Sequence, residues 1–147
     1  MKVKYLGHVA LYVRDIERSL EFYRDLAGFE EVGRLFGGKA AALTSGRTHH
    51  ELLLLEIGAS APVIPQKQPG LYHLGFKIGD SLEELKAARK DLEDKGVSIE
   101  GQSDHVVSQS LYVKDPDGND VEFYVDADPE IWKNDPSAVL NVKPLSL

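Results

Sequence analysis

Two histidines and one glutamate, on three separate apolar stretches, are the residues of this sequence best suited to chemistry. His73 sits in LYHLGF at residues 71–76, and His8 in YLGHVALY at residues 5–12. Glu122 follows the turn of DPDGNDVEFY at residues 115–124. Each stretch reads as a strand. A histidine alone in a strand reads first as a core imidazole satisfied by a neighbour. A carboxylate flanked by Val121 and Phe123 needs a partner, because burying an unpaired charge is costly. Together, two imidazoles and one carboxylate make the facial ligand set that leaves positions open on a divalent ion. With a single carboxylate, such a site carries net charge +1 and attracts an anionic substrate.

These residues need elements to position them, and the spacing supplies a repeat. His8 and His73 are 73 − 8 = 65 residues apart, as are Asp15 and Asp80. In the first half, residues 2–13 read as a strand. A helix capped by Asp15 follows, with Ile16, Leu20, Tyr23 and Leu26 or Ala27 at helical spacing and Gly28 at its end. Strands are expected over 29–36, 39–44 and 49–57, with Gly37-Gly38 as a hairpin turn. In the second half, residues 71–78 are a strand. Asp80 or Ser81 caps a helix carrying Leu82, Leu85, Ala88 and Leu92, which Lys95-Gly96 closes. Strands over 97–100, 110–114 and 120–125 complete it. Each half is β-α-β-β-β, and a repeat of this size sets the fold expectation. The fold class is α+β: two paired modules forming a curved mixed sheet around a metal cavity. Module 1 covers about 3–58, a Pro-rich linker 59–70, module 2 about 71–126, and a tail 127–147 with Trp132 is expected to form a short helix and an extended arm.

Composition narrows the function. The 147 residues suit one domain of two intimate halves. With no cysteine, disulfides, thiolate metal sites and cysteine nucleophiles are excluded. A net charge of −7 without a Lys/Arg cluster argues against nucleic acid. No apolar run approaches a membrane span, and the MKVKYLGH start lacks the apolar core of a secretory signal. A cytoplasmic protein is expected.

The stretches GHVALYVRDIERSLEFYRDLAGF, GLYHLGFKI and DPDGNDVEFY resemble the vicinal oxygen chelate superfamily, which includes glyoxalase I, fosfomycin-resistance transferases, bleomycin-binding proteins and extradiol dioxygenases. The resemblance covers about residues 3–126. THHELLLLEIG and SDHVVSQSLYVKDPDG resemble the type I extradiol (catechol 2,3-) dioxygenases in particular. That resemblance implies Fe(II) held by His8, His73 and Glu122, with Mn(II), Zn or Ni as possible occupants. It implies His50 as acid-base histidine, Tyr112 as active-site tyrosine ten residues before Glu122, and His105 as a substrate-binding histidine on a shortened loop. The substrates would be a small catechol-type aromatic and O2, and the assembly a homodimer.

Two rival functions remain open on the residues. A glyoxalase-type lyase or isomerase needs a fourth protein ligand, and Glu51 and Glu56 are available. Strand alternation over 49–57 puts His50, Leu52, Leu54 and Glu56 on one face, and His49, Glu51, Leu53 and Leu55 on the other. The inward face would decide between the two chemistries. A non-catalytic drug-binding relative is the other rival, though it has no use for His8, His73 and Glu122 together.

Overall fold

The computed structural model describes residues 1–63 and 67–147; part of the expected linker, residues 64–66, lies outside the described residues. The chain divides into two compact units, Met1–Ile64 and Pro65–Leu147. Each holds one mixed sheet with helical cover, an α+β architecture.

The first unit contains β1 (Val9–Val13), α1 (Ile16–Leu20), β2 (Glu30–Leu35), β3 (Ala40–Thr44) and β4 (Leu52–Glu56), with sheet order β1-β4-β3-β2. β1 and β4 are parallel; the other pairs are antiparallel. Alternation divides the sheet. Leu11, Val13, Ala41, Leu43, Leu52 and Leu54 are buried with Ile16, Leu20 and Tyr23 of the helical segment. On the opposite face Ala10 and Tyr12 are exposed, and Leu53 and Leu55 half-buried. Asp15 accepts the Arg18 N–H at 3.0 Å, as expected of the cap. A second carboxylate helps: Glu56, at the end of β4, accepts the Ile16 N–H at 3.1 Å. Past Leu20 the helix widens into a π turn, Glu21–Leu26, closed by Ala27 N–H to the Phe22 carbonyl at 2.8 Å. Gly28 then turns the chain at φ 84°.

The second unit repeats the plan: β5 (His73–Gly79), α2 (Leu82–Asp94), β6 (Gly101–Asp104), β7 (Ser108–Lys114) and β8 (Asp120–Asp126), in the order β5-β8-β7-β6, with β5 and β8 parallel. α2 packs on β5, β7 and β8. Leu74, Leu111, Val113, Val121, Phe123 and Val125 meet Leu85 and Leu92 in the core. The tail forms α3 (Pro129–Asn134), which carries Trp132, a 3-10 turn (Pro136–Leu140) and β9 (Lys143–Pro144), which adds to the β6 edge.

Three expected elements differ. The first strand begins at Val9 rather than residue 2, so His8 precedes it. The strand expected at 97–100 forms at Gly101–Asp104 instead, because Gly101, Gln102, Ser103 and Asp104 are the residues that pair with β7. The strand expected from residue 49 begins at Leu52, where pairing with Val9 and Leu43 begins. His49, His50 and Glu51 therefore lie in the approach to the strand, and alternation does not govern His50.

Ser81 caps α2 as half of a capping box. Its hydroxyl accepts the Glu84 N–H, and the Glu84 carboxylate returns to the Asp80 N–H at 2.9 Å and the Ser81 hydroxyl at 2.8 Å. That carboxylate lies over Gly79, where a Cβ would meet it at 2.4 Å. Gly79→Ala is therefore expected to displace the Glu84 side chain and lower the unfolding midpoint. In a Glu84→Ala background the same change is expected to cost nothing further, and chemical denaturation of the four variants measures this.

Candidate functional site

The second unit gathers four of the expected site residues on one face. On the side of its sheet away from α2, Gly101 lies opposite Tyr112, Tyr112 opposite Glu122, and Glu122 opposite Gly75. His73 starts β5 on the same face. The turn before Glu122 is held by Asp115, whose buried carboxylate accepts the N–H of Asp117 at 2.9 Å and of Asn119 at 2.8 Å. Gly118 completes it at φ 89°.

Glu122 divides its two oxygens. Oε2 lies 3.0 Å from His73 Nε2, and Oε1 accepts the Tyr112 hydroxyl at 3.0 Å. Tyr112 Oη in turn lies 3.0 Å from His105 Nε2. His105 reaches this point from a tight connection between β6 and β7. Its N–H donates to the Ser108 carbonyl at 2.8 Å, and Val106 is held at φ 69° with its N–H donated to Asp104 Oδ1 at 2.6 Å. Burial raises the Tyr112 hydroxyl above the usual phenol range; the facing Glu122 carboxylate adds to this, and a hydrogen bond from Ser103 opposes it. The tyrosine is thus held as a proton donor.

The His73–Glu122 pair fits a metal. A donor separation of 3.0 Å is the edge expected between neighbouring ligands of a six-coordinate ion with bonds of about 2.1 Å. Gly75 leaves space beside the carboxylate: a Cβ there would lie 3.4 Å from Glu122 Oε2. His73 Nδ1 is buried without a partner among the described residues.

The first unit gathers the histidines of its own half. The His8 and His50 rings lie 4.6 Å apart between centroids, and His50 Nδ1 is 2.5 Å from His49 Nδ1. One of those two nitrogens carries the shared proton. Desolvation, then the charges of His49 and His8, lower His50 below the usual imidazole range. Among the described residues, no three His, Asp or Glu side chains stand together as one ion requires.

The two glutamates open to a fourth-ligand role are both engaged. Glu51 accepts the N–H of Ser45 at 2.8 Å, the Thr44 hydroxyl at 3.1 Å and the N–H of Thr48 at 3.1 Å, and Arg47 lies 3.3 Å away. Glu56 caps α1 from the helix-covered face. Sequence reading did not single out Ser103 or Gly75. The signal for Gly75 is a small residue in a strand beside a histidine; for Ser103, a hydroxyl two residues before His105 at strand spacing.

With this geometry the family follows. The model of the Glyoxalase/Bleomycin resistance protein/Dioxygenase superfamily matches residues 5–123. The chain belongs to this superfamily. Catechol-2,3-dioxygenase of Bacillus subtilis is 38% identical over 132 residues, covering 89% of this chain and 45% of that protein, so the chain spans less than half of that relative's length. A probable trivalent organoarsenical cleaving enzyme of the same species is 31% identical over 92% of this chain and 90% of its own length. The structure of lactoylglutathione lyase from Agrobacterium tumefaciens superposes with TM-score 0.65 at 26% identity, covering 90% of this chain and 98% of that one. The superfamily thus spans metal-dependent dioxygenases and glyoxalases. No helix among the described residues is long and apolar enough to cross a membrane.

The Glu51 cage makes a pH prediction. Burial works to raise this carboxyl, but hydrogen bonds from Ser45 and Thr44 and the Arg47 charge outweigh it, and the net shift is downward. A carboxyl whose pKa is lower folded than unfolded stabilises the fold above its unfolded value of about 4.3 and loses that contribution as pH falls through the depressed folded value. Thermal unfolding at a series of pH values is expected to show wild type losing its advantage over Glu51→Gln below about pH 4.

Proposed function

We propose that the chain is an extradiol ring-cleavage dioxygenase, using Fe(II) and O2 on a catechol-type aromatic. The observation that carries this reading is the fate of the first unit's polar residues. Glu51 and Glu56 are spent on backbone N–H groups, while His50 lies against His8. A four-ligand glyoxalase site would need one of those carboxylates free. The catechol dioxygenase relative supports the same choice.

His8, His73 and Glu122 would hold the ion, leaving positions for a bidentate catecholate and O2. Bound Fe(II) would supply the electron coupling between the aromatic ring and dioxygen. His50 would take a proton from a substrate hydroxyl and later return it; its Nδ1 is engaged with His49, so the proton would pass at Nε2. Tyr112, kept protonated, would donate to a substrate oxygen bearing developing charge. His105, behind Tyr112, would bind the substrate's second polar group.

Anaerobic loading with Fe(II), metal content by mass spectrometry and oxygen uptake with substituted catechols test the assignment. His73→Ala is expected to lose metal and activity together. His50→Ala is expected to keep its metal while turnover falls about 10²- to 10⁴-fold, the range of general acid-base catalysis. Full activity in His50→Ala, together with loss of metal in Glu51→Ala, would overturn the assignment in favour of a glyoxalase-type site.

A further inference from the structure

We propose that the open strand surface at Gly75, between Glu122 and Tyr124, is the subsite for the substrate's ring substituent, and that Tyr124 selects a neutral, hydrogen-bonding one. The substrate class is then a catechol carrying a hydroxyalkyl or carbonyl group. The inference deepens the dioxygenase reading and rests on it for the placement of the ring.

Gly75 is exposed in the middle of β5. It lies opposite Glu122, and Lys77 lies opposite Tyr124, so Gly75 and Tyr124 are diagonal neighbours on one face. A Cβ at Gly75 would stand 3.4 Å from Glu122 Oε2 and 3.7 Å from Tyr124 Cε1. Both are ordinary contact distances, so packing does not forbid a side chain there. The backbone does not demand a glycine either, since Gly75 is not among the glycines of positive φ. A glycine inside a strand gives up packing and marks a place where something approaches closely. What Gly75 supplies is space, bounded by a carboxylate on one side and a phenol ring on the other.

Tyr124 has a hydroxyl to offer into that space. The side chain is half-buried. Burial and the charges of Asp126, Lys77 and Glu122 act on its hydroxyl, and no hydrogen bond does. Tyr112 differs, because Ser103 and Glu122 already hold its hydroxyl. A partly desolvated hydroxyl without a partner gains from a ligand atom that bonds it.

The charges beyond Tyr124 decide what kind of atom. Lys77 Nζ lies 2.6 Å from Asp80 Oδ1 and 2.7 Å from Asp126 Oδ2. One cation against two carboxylates leaves 1 − 2 = −1, so Lys77 has no charge to spare for an anionic substituent. The two carboxylates already share Lys77, and such exposed pairs offer a further cation little. The subsite reads hydrogen bonding rather than charge.

The test compares near-isosteres on the Fe(II)-loaded protein. Anaerobic calorimetry measures binding of catechol, 4-hydroxymethylcatechol, 4-ethylcatechol and 3,4-dihydroxybenzoate, and oxygen uptake follows on the same samples. The affinity ratio of the hydroxymethyl to the ethyl compound is expected to fall about two- to tenfold in Tyr124→Phe, the range of one neutral hydrogen bond. Gly75→Ala is expected to weaken both substituted compounds more than catechol itself. Wild type is expected to bind the benzoate more weakly than the hydroxymethyl compound. An unchanged ratio in Tyr124→Phe, equal losses for all three neutral catechols in Gly75→Ala, or tighter binding of the benzoate would overturn the subsite while turnover upheld the dioxygenase reading. The expected ratios without oxygen uptake would overturn the dioxygenase reading and leave the subsite standing. A protein that takes up no Fe(II) would overturn both.

Discussion

Each sheet of this chain has one helical segment to cover it, and that constraint governs where everything else goes. Strand residues alternate between faces, so covering one face with a helix makes every second position apolar and leaves the other face to different residues. In the second unit Leu111, Val113, Val121, Phe123 and Val125 fill the covered side. The positions between them are Tyr112, Glu122 and Tyr124, with His73 and Ser103 on the flanking strands. The polar cluster is thus the complement of the core. A one-residue slip in β8 would bury Glu122 against α2 and turn Val121 outward.

A half-buried carboxylate needs donors, and the three informative glutamates meet that need in different ways. Glu51 takes backbone N–H groups from the loop it follows. Glu56 takes the first N–H of a helix 40 residues before it in sequence. Glu122 stands in mid-strand, where ladder bonds occupy the backbone N–H groups, so only side chains are left to satisfy it. They are His73 on one side and Tyr112 on the other. That difference in available donors separates a structural carboxylate from one able to serve an ion. The small residues beside it follow the same logic: Gly75 leaves room at Glu122 and Gly101 at Tyr112.

Much of this was legible in the residues. The 65-residue offset of His8 and His73 announced two like units, and both units have the strand order the repeat implies. Asp15 was recognisable as a cap, and DPDGN as a turn, because side chains bonding their own neighbours leave local patterns. The strand that the spacing predicts over 97–100 forms a few residues later, since Val97 and Ile99 are the apolar residues of that segment while the partners of β7 are Gly101, Gln102, Ser103 and Asp104. His50 stands two residues before β4 begins, outside the strand that the spacing predicts for it.

The sequence by itself determined the types: which histidines and carboxylates exist, which halves repeat, and which faces are apolar, since these follow from spacing along one chain. Tertiary structure alone decided the partners. Whether Glu51 was free or spent depended on Ser45 and Thr48 folding back over it. Whether His50 met His8 depended on a loop ending where β4 begins. Whether Tyr112 faced a serine depended on the register of β6 against β7. Each is a contact between residues that periodicity does not connect, fixed only when strand pairing brings distant segments to a definite register.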